Sequence, residues 1–378
     1  MRVFVPRERS EGETRVALVP EGVKKLLKAG FSVQIESGAG HAAHVLDEAY
    51  TEAGAEVVSD FSAAGGADVV LKVAPFSVEE AAQLKEGSVA IGFMAPYANH
   101  DMVRTLTERK VTCLAMELVP RISRAQGMDA LSSQASLGGY KAVLMAASSL
   151  DKYFPLLMTA AGTIQPARVV VLGAGVAGLQ ALATARRLGA VVEVSDIRPE
   201  VKEQIESLGG KFIDLPLEEV EQGEGGYAKE VTKEFLEKQQ AIVADRLAEA
   251  DVAITTALVP GRPAPKLISA ATVERMRAGA VIVDMAVAQG GNCELSEKGA
   301  TVEKHGVTII GPENLPATVP GDASVMYSRN VYAVLNHIAK KAELELDLEE
   351  EITRGALLTH EGQIMHPPTR EAIEGGNS

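Results

Sequence analysis

Cysteine is scarce in this chain, and the sequence offers no pattern of metal ligands. The only two cysteines, Cys113 and Cys293, are far apart and lack the close spacing of a metal site or a redox pair. We therefore expect two reduced, partly buried thiols in a cytosolic protein. Among seven histidines only His41 and His44 lie close together, and no cysteine or carboxylate cluster accompanies them. We expect no metal site.

Tryptophan is absent, aromatic residues make up only 4% of the chain, and basic residues are outnumbered. The 51 acidic and 37 basic side chains give a net charge of −14, which argues against nucleic acid as a partner. The hydrophobic fraction of 46% is ordinary for a globular protein. A length of 378 residues allows about two domains with sizeable cores.

Long apolar runs are missing as well. The chain opens with MRVFVPRERS, which places charges where a signal peptide has its apolar segment. Residues 169–185 and 142–163 come nearest to a membrane span, but Gln180 and glycines interrupt the first, and Asp151 and Lys152 the second. We therefore expect neither a signal peptide nor a membrane-spanning helix.

The most informative segment is VVVLGAGVAG at residues 169–178, where a buried-strand pattern runs into a glycine-rich turn. Gly173, Gly175 and Gly178 have the spacing of a dinucleotide-binding turn. The first glycine permits the tight turn, the second lets the backbone approach a pyrophosphate, and the third lets the next helix pack close to the strand. The diphosphate would bind the free N–H groups at the helix start. The predicted binding residues are Gly173, Gly175, Val176, Ala177 and Gly178.

Asp196 follows 18 residues after the last of these glycines, at the end of a second predicted strand. A carboxylate there accepts hydrogen bonds from ribose hydroxyls and repels a 2′-phosphate, which favours NAD(H) over NADP(H). Arg198 leaves NADP(H) open, because a nearby arginine can serve a 2′-phosphate. Ile197 lies between the two and belongs to the same predicted segment. Residues 256–258 end a further strand at the edge where open α/β sheets bind ligands, and they are predicted to flank the adenosine: Thr256, Ala257 and Leu258.

Short apolar runs alternate with helical stretches along the chain, as in parallel sheets flanked by helices. Near the N-terminus strands are predicted at 3–5, 32–35, 69–73, 89–93 and 111–115, and helices at 21–29, 47–53, 78–84 and 100–108. Beyond residue 166 further strands are predicted at 211–215, 251–256, 280–285 and 307–310. The expected fold is α/β, with two Rossmann-like domains and the nucleotide in the cleft between them.

Four segments make up the expected domain organisation. Residues 1–125 form an N-terminal α/β domain, which a C-terminal helix and tail at about 322–378 complete. Residues 126–165 form a connector with an apolar helix near 140–150. Residues 166–320 form the NAD(H)-binding domain. The acidic run ELELDLEEE at 343–351 is expected to be a solvated face.

Several longer stretches carry a family resemblance. RVALVP at 15–20 and ESGAGHAA at 36–43 resemble the N-terminal domain that alanine dehydrogenases and proton-translocating transhydrogenases share. RISRAQGMDALSSQASLGGYKAV at 121–143 resembles the transhydrogenase version, as do TTALVPGRPAPKLI, VDMAVAQGGN and GPENLPATVP further on. The resemblance covers nearly the whole chain. It points to the NAD(H)-binding components of proton-translocating NAD(P) transhydrogenases.

This resemblance implies roles for the loop that contains Arg121, Gln126, Asp129 and Ser132, which would lie over the nicotinamide end of the nucleotide. An amide and a hydroxyl, Gln126 and Ser132, suit the carboxamide and the ribose. Arg121 can hold a phosphate with two hydrogen bonds, and Asp129 can fix Arg121 or Gln126. The alternative is that RAQGMD forms a salt-bridged surface turn.

The resemblance also implies a mobile loop at 216–227 whose tyrosine, Tyr227, closes near the bound nucleotide and excludes water. Three nearby glycines and several acidic residues are consistent with a mobile segment. A plain disordered acidic loop is the alternative.

Alanine dehydrogenases differ from this chain at their catalytic positions. Arg15 and Lys72 match their substrate-binding arginine and their lysine, but IGFMAPY at 91–97 lacks their histidine, and Ala288 stands where they have an aspartate. Amine oxidation needs proton transfer at the substrate, so this chemistry should fail. Hydride exchange between two nicotinamides needs only close rings and exclusion of water.

The resemblance therefore implies a Re/Si-specific transhydrogenase component that is active only with partners. NADP(H) would be bound by one separate subunit, and protons would cross a second, membrane-spanning subunit. The chain itself would be a homodimer, cytoplasmic and peripheral on the inner face of the bacterial cytoplasmic membrane. Two alternatives stay open: an amino-acid dehydrogenase of the alanine-dehydrogenase type, and a non-catalytic NAD(H)-responsive binding protein.

Overall fold

Two sheets, each built mainly of parallel strands, organise the chain in the computed structural model. The structure describes residues 1–215, 233–258 and 263–375. The chain divides into two units: unit 1 comprises Met1–Gln134 and the chain from Pro316 onward, and unit 2 comprises Ala135–Leu315. Over the described residues, no helix combines the length and apolar character needed to cross a bilayer. The segment predicted as a mobile loop, with Tyr227, lies outside the described residues.

The elements follow in chain order. The N-terminal third contains β1 (Arg2–Val5), α1 (Pro20–Lys28), β2 (Ser32–Glu36), α2 (Asp47–Glu52), β3 (Glu56–Val58), β4 (Val69–Leu71), α3 (Val78–Gln83), β5 (Val89–Gly92), α4 (His100–Glu108), β6 (Thr112–Ala115) and α5 (Ala130–Ser149). The middle of the chain contains β7 (Leu157–Thr159), β8 (Gly162–Ile164), β9 (Arg168–Leu172), α6 (Val176–Arg187), β10 (Val191–Ser195), α7 (Lys202–Ser207), β11 (Lys211–Phe212), α8 (Lys233–Ala248), β12 (Val252–Thr255), α9 (Ala270–Arg275), β13 (Val281–Asp284), β14 (Thr301–Lys304) and β15 (Val307–Ile310). The C-terminal region contains α10 (Pro320–Ile338), β16 (Ala339–Lys340), β17 (Glu343–Leu344), α11 (Glu351–Ala356), β18 (Leu357–His360), β19 (Gln363–Ile364) and α12 (Pro367–Glu374).

The sheet of unit 1 has the order β19-β18-β6-β5-β4-β1-β2-β3. Its six N-terminal strands are parallel, and the C-terminal hairpin β18–β19 adds antiparallel edge strands. Both faces are covered: Val3 and Val5 belong to one core cluster, and Phe4 between them belongs to the other. The parallel strands have the order of a doubly wound sheet, whose switch point lies between β1 and β4.

The sheet of unit 2 has the order β11-β10-β9-β12-β13-β15-β14, and only β14 is antiparallel to its neighbour. Val169 and Val171 of β9 enter one core cluster, while Val170 and Leu172 enter the other. This is again a doubly wound order, here with the switch point between β9 and β12. Two Rossmann-like units with parallel sheets flanked by helices confirm the predicted fold class.

Several elements differ from the expectation. The apolar helix expected near residues 140–150 is the 20-residue helix α5, which begins at Ala130. An unexpected antiparallel hairpin, β7–β8, follows it and exposes Leu156, Met158 and Ile164. Hairpins of this size have too few neighbouring strands to leave a strong pattern in the sequence.

Candidate nucleotide-binding site

The switch point of unit 2 brings together two of the predicted binding segments. β9 ends at Leu172 and β12 ends at Thr255, and the two strands are neighbours in the sheet. The amide of Thr256 donates to the carbonyl of Leu172 over 2.9 Å, and its hydroxyl Oγ1 donates to the carbonyl of Gly173 over 3.1 Å. Thr256 therefore holds the start of the glycine turn. Doubly wound sheets bind their ligands at this edge.

The three glycines of the turn meet three different steric conditions. Gly173 has a φ of 104°, which side chains disfavour, and a Cβ there would lie 2.7 Å from Oγ1 of Thr256. A Cβ on Gly178 would overlap the carbonyl oxygen of Gly173, so this position brings helix and strand together. Gly175 has a φ of −76° and faces open space, with no atom within 4 Å of a Cβ. Among these three glycines, free backbone approach is thus available only at Gly175.

The start of α6 has the features of an anion site. This 12-residue helix begins after Gly175 and has no side chain that caps its first N–H groups. Uncapped N–H groups at the positive end of a helix bind phosphates. Val176 is 44% exposed in the first turn, so the helix start is open to solvent within its unit. These residues fit a dinucleotide pyrophosphate.

Sequence reasoning missed Gly139, which allows α5 to approach the same helix start. A Cβ on Gly139 would overlap the carbonyl oxygen of Ala177, and one on Gly138 would lie 3.1 Å from Cε of Met285. Two consecutive glycines inside a helix are unfavourable on their own, and this was the signal that could have found them. Their benefit is close packing of α5 beside the nucleotide turn.

Asp196 lies at the end of β10 with its carboxylate already engaged. Its Oδ2 accepts from the amide of Ala174 at 2.7 Å, and Oδ1 accepts from the amide of Arg198 at 2.9 Å. The Arg198 guanidinium binds both carboxylate oxygens, at 2.9 and 3.0 Å. Burial opposes ionisation of Asp196, but the hydrogen bonds from Arg198 and Ala174 outweigh it, so the pKa of this carboxyl lies below its usual range. An ionised Asp196 therefore connects the glycine turn with the predicted ribose position.

Asp196→Ala is expected to lower NADH affinity about tenfold and to reduce discrimination against NADPH, because it removes a charged acceptor and the repulsion of a 2′-phosphate. Isothermal titration calorimetry with both nucleotides measures the two effects. Asp214→Ala is the matched control, since Asp214 is a surface acid that pairs with Lys202. An Asp196→Ala chain that binds NADH like the unchanged protein would refute the assignment.

Two apolar side chains extend from the same sheet edge. Ile197 is 78% exposed and Leu258 is 50% exposed, one after β10 and the other after β12. Exposed apolar side chains beside polar binding groups are typical of a ligand site. They fit the two faces of an adenine ring.

A buried polar network supports the segment 256–258, and sequence reasoning missed it. Asn292 is fully buried, and its amide pairs with both the N–H and the C=O of Ala257, at 3.1 and 2.9 Å, and with the carbonyl of Pro265 at 2.8 Å. Asp284 is also fully buried and accepts five hydrogen bonds, one of them from Oγ1 of Thr255 and one from the amide of Asn292. The network fixes the backbone on which Leu258 is mounted.

The second group of predicted residues lies in unit 1, in the loop that precedes α5. Its centre is a short 3-10 helix, Ser123–Met128, anchored by the fully buried Ala125. Arg121 and Gln126 are both exposed, and over the described residues neither side chain makes a hydrogen bond or ion pair. The alternative of a salt-bridged turn applies only to Arg124, which pairs with Glu350 at 3.1 Å. An arginine and an amide are thus free for a ligand.

Asp129 and Ser132 bind each other and do not bind the rest of the loop. Oδ1 of Asp129 accepts from the amide of Ser132 at 2.8 Å, and Oδ2 accepts from the Ser132 hydroxyl at 2.6 Å. Asp129 therefore caps the start of α5. The expectation that Asp129 fixes Arg121 or Gln126 is corrected, because the N–H groups of a helix start are closer partners.

The switch point of unit 1 is filled by its own side chains. Glu8 follows β1, and its carboxylate accepts from Nζ of Lys72 at 2.9 Å and from the amides of Val73 and Ala74 at 2.6 and 3.3 Å. Lys72 also contacts Glu80 at 3.5 Å. The side chains of Lys72 and Glu8 are only 1% and 2% exposed. Glu8 thus takes the backbone N–H groups that an anionic ligand would need at this position.

Lys72→Met should lower the free energy of unfolding by about 3–5 kcal/mol, because it leaves Glu8 buried without a cation. Urea unfolding followed by circular dichroism measures this. Lys85→Met is the control: Lys85 pairs with Asp68 at 2.6 Å on the surface, where a loss below about 1 kcal/mol is expected. Equal losses for the two variants would show that the Glu8–Lys72 pair does not have the proposed weight.

Arg15 is engaged internally as well. Its Nε and one terminal nitrogen bind both oxygens of Glu13, at 2.8 and 2.6 Å, and the other binds Oε1 of Gln134 at 2.9 Å. Both cations that match the substrate-binding groups of alanine dehydrogenases therefore have partners within the chain.

Two family models match the chain and together span most of it. They are Alanine dehydrogenase/PNT, N-terminal domain, over residues 4–138, and Alanine dehydrogenase/PNT, C-terminal domain, over residues 142–367. The chain belongs to the alanine dehydrogenase/PNT family. This confirms the family resemblance predicted from the sequence.

Relatives within the family carry two different names. The first portion of a divided NAD(P) transhydrogenase subunit alpha, from Rhodospirillum rubrum, is 50% identical over 97% of this chain and 98% of its own length. The crystal structure of transhydrogenase from Sinorhizobium meliloti is 44% identical with a TM-score of 0.88, covering 96% of this chain and 100% of that one. Alanine dehydrogenase from Bacillus subtilis is 29% identical over 97% of this chain and 93% of its own length. This chain is thus more similar to the two transhydrogenases than to this alanine dehydrogenase.

Proposed function

We propose that the chain is the NAD(H)-binding component of a proton-translocating NAD(P) transhydrogenase. One observation carries the choice between the two activities named in the family: Arg15 and Lys72 are buried and paired with Glu13 and Glu8, whereas the glycine turn and Asp196 in unit 2 are open to a nucleotide. A carboxylate substrate finds no unpaired cation at Arg15 or Lys72. A dinucleotide finds backbone N–H groups, a ribose acceptor and an apolar platform.

In this proposal NADH is a substrate, and it supplies the hydride that its partner nucleotide accepts. The residues of the chain bind and orient it. Gly175 and the start of α6 hold the pyrophosphate, Asp196 accepts from the adenosine ribose, and Ile197 and Leu258 flank the adenine. Arg198 either stays on Asp196 or moves to the adenosine. Thr256 and Ala257 keep the turn and its neighbour in register.

The loop of unit 1 orients the nicotinamide in the proposal. Gln126 binds the carboxamide and Arg121 binds a phosphate, since both side chains are exposed and free of partners within the described residues. Asp129 and Ser132 fix the end of the loop through the helix cap. Tyr227, outside the described residues, closes over the nucleotide and excludes water. None of these roles requires a proton to be gained or lost, which agrees with hydride transfer between two rings.

The remaining elements of the proposal concern partners. The names of the relatives describe a subunit alpha, whole or divided, and this supports an assembly of several subunits. We assign NADP(H) to a partner subunit and proton passage to a membrane-spanning one, with this chain peripheral on the cytoplasmic face. The transfer between NADH and NADP+ is Re/Si-specific. We also propose a homodimer, which the exposed apolar hairpin β7–β8 supports and which light scattering on the purified chain tests.

The function is tested by mixing the chain with the NADP(H)-binding subunit of a transhydrogenase. Exchange between NADH and an NADP+ analogue of shifted absorbance is followed in time. We expect exchange with both proteins and almost none with either alone. Formation of NADH from alanine by the chain alone would favour an amino-acid dehydrogenase. NADH binding without exchange in any mixture would favour a non-catalytic binding protein.

A further inference from the structure

A continuous chain of hydrogen-bonded side chains runs through unit 1 and ends at the loop that contains Gln126. Gln134 donates from Nε2 to Oγ of Ser133 over 3.2 Å, and Ser133 donates to Oδ1 of Asn330 over 2.7 Å. Asn330 then donates from Nδ2 to the carbonyl of Gly127 over 2.9 Å. Asn330 belongs to α10 and lies about two hundred residues from this loop in sequence, with separations of 203 and 197 residues to Gly127 and Ser133.

The far end of this chain is fixed firmly. Arg15 binds Oε1 of Gln134 and holds Glu13 with two hydrogen bonds, and Gln134 also donates to the carbonyl of Ala323 in α10 over 3.2 Å. Arg15 and Gln134 are buried. Charge-assisted bonds of this kind are shorter and stronger than neutral ones, so the anchor does not drift.

Asn330 is the only side chain in this chain of contacts that reaches the loop backbone. It is buried, and it uses its amide as both donor and acceptor, which a leucine of similar size cannot do. Gly127, whose carbonyl it binds, directly follows Gln126. A displacement of this carbonyl therefore moves the backbone on which the Gln126 side chain is mounted.

A second tether at the loop is weaker. Arg124 pairs with Glu350 at 3.1 Å and Glu351 at 3.5 Å, but its side chain is 64% exposed. Exposed ion pairs contribute little and are screened by salt. Glu350 is held independently as the cap of α11, where it accepts from the amides of Ile352 and Thr353. The buried bond from Asn330 is thus the contact that sets the height of the loop.

We propose that Asn330 is a positioning residue for Gln126, which places the nicotinamide for hydride transfer without itself contacting the nucleotide. This inference rests on the proposed function, because it names a residue that controls the same site. It also gives Arg15 a role: the guanidinium anchors the chain of contacts that ends at Asn330 and is not a substrate ligand.

Two variants of Asn330 and one of its partner test this. Asn330→Asp keeps an acceptor for Ser133 but replaces the donor to Gly127 by an oxygen at pH 8, and Asn330→Leu removes both bonds. Ser133→Ala removes only the bond upstream and keeps the fold test available if the Asn330 variants are poorly folded. Arg329→Ala is the matched control, because Arg329 precedes Asn330 on α10 and pairs only with the exposed Glu21 over the described residues.

The readouts separate positioning from binding and from folding. We expect both Asn330 variants to slow hydride exchange with the partner subunit about tenfold to a hundredfold, since small misplacements of reacting groups have effects of this size. The Kd for NADH should change less than about twofold, and Ser133→Ala should show a smaller loss in the same direction. Amide hydrogen exchange of the peptide 121–129 should accelerate in the Asn330 variants and stay unchanged in Arg329→Ala.

The outcomes keep the two proposals distinct. If the unchanged protein fails to exchange hydride with any partner, the proposed function is wrong, while the amide exchange of residues 121–129 still measures the clamp. If the unchanged protein is active and the Asn330 variants match it in exchange rate and in loop protection, the positioning role is wrong. Equal losses in hydride exchange and in NADH affinity would also overturn it.

Discussion

Replacing Gly175 by alanine is expected to leave the fold unchanged and to weaken NADH binding about tenfold to a hundredfold, the loss of one or two charge-assisted hydrogen bonds. The backbone at Gly175 has a φ of −76°, which alanine adopts without strain, and the new Cβ meets no atom within 4 Å. That open space is where the pyrophosphate approaches in the proposed complex. Calorimetric titration with NADH and a thermal unfolding curve measure the two quantities.

Gly178→Ala provides the contrast three residues further on. There a Cβ overlaps the carbonyl oxygen of Gly173, so helix α6 and strand β9 must separate. We expect a lower melting temperature together with lost binding. If Gly175→Ala instead binds NADH like the unchanged protein, the pyrophosphate does not approach the backbone at that glycine, and the assignment of the turn is wrong.

Gln126→Asn is expected to slow hydride exchange about tenfold to a hundredfold while NADH affinity falls much less, because a shorter amide displaces the ring without disturbing the phosphates. Gln126 is exposed, so the fold should tolerate the change. The measurement pairs single-turnover exchange in the presence of the NADP(H) partner with the Kd for NADH of the isolated chain.

Ser123→Ala is the control for this prediction, since Ser123 is a neighbour in the same 3-10 helix. It should leave both quantities unchanged. Losses of equal size in exchange and in affinity for Gln126→Asn would mean that the amide contributes general binding and has no special role in ring placement.

The features of the structure that follow from local sequence were predictable. Each strand of the two sheet cores is a short apolar run, and the glycine turn is set by steric conditions that only glycine meets at 173 and 178. The confirmed fold class follows from the alternation of such runs with helices. Boundaries were less accurate: α5 begins at Ala130 because Asp129 caps it, and a cap is a single polar residue in a polar stretch.

The supporting residues of the candidate site could not be found in this way. Asn292 and Asn330 act through bonds to backbone groups at 35 and 203 residues' distance along the chain, and no periodic pattern marks such contacts. The pairing of Arg198 with Asp196 and of Lys72 with Glu8 likewise depends on how the turns after the strands fold back. Side-chain identity indicated which groups were present, and the structure decided which of them were free.

The most direct test of the account follows a deuterium atom. NADH labelled at the transferred C4 position is incubated in ordinary water with this chain and an NADP(H)-binding partner loaded with NADP+, and the products are analysed by mass spectrometry. We predict that the deuterium appears at C4 of NADPH, with none in water and with no metabolite required. Deuterium released to solvent, or consumption of NADH only when an amino or keto acid is supplied, would contradict the proposal that this chain orients one nicotinamide for direct transfer to another.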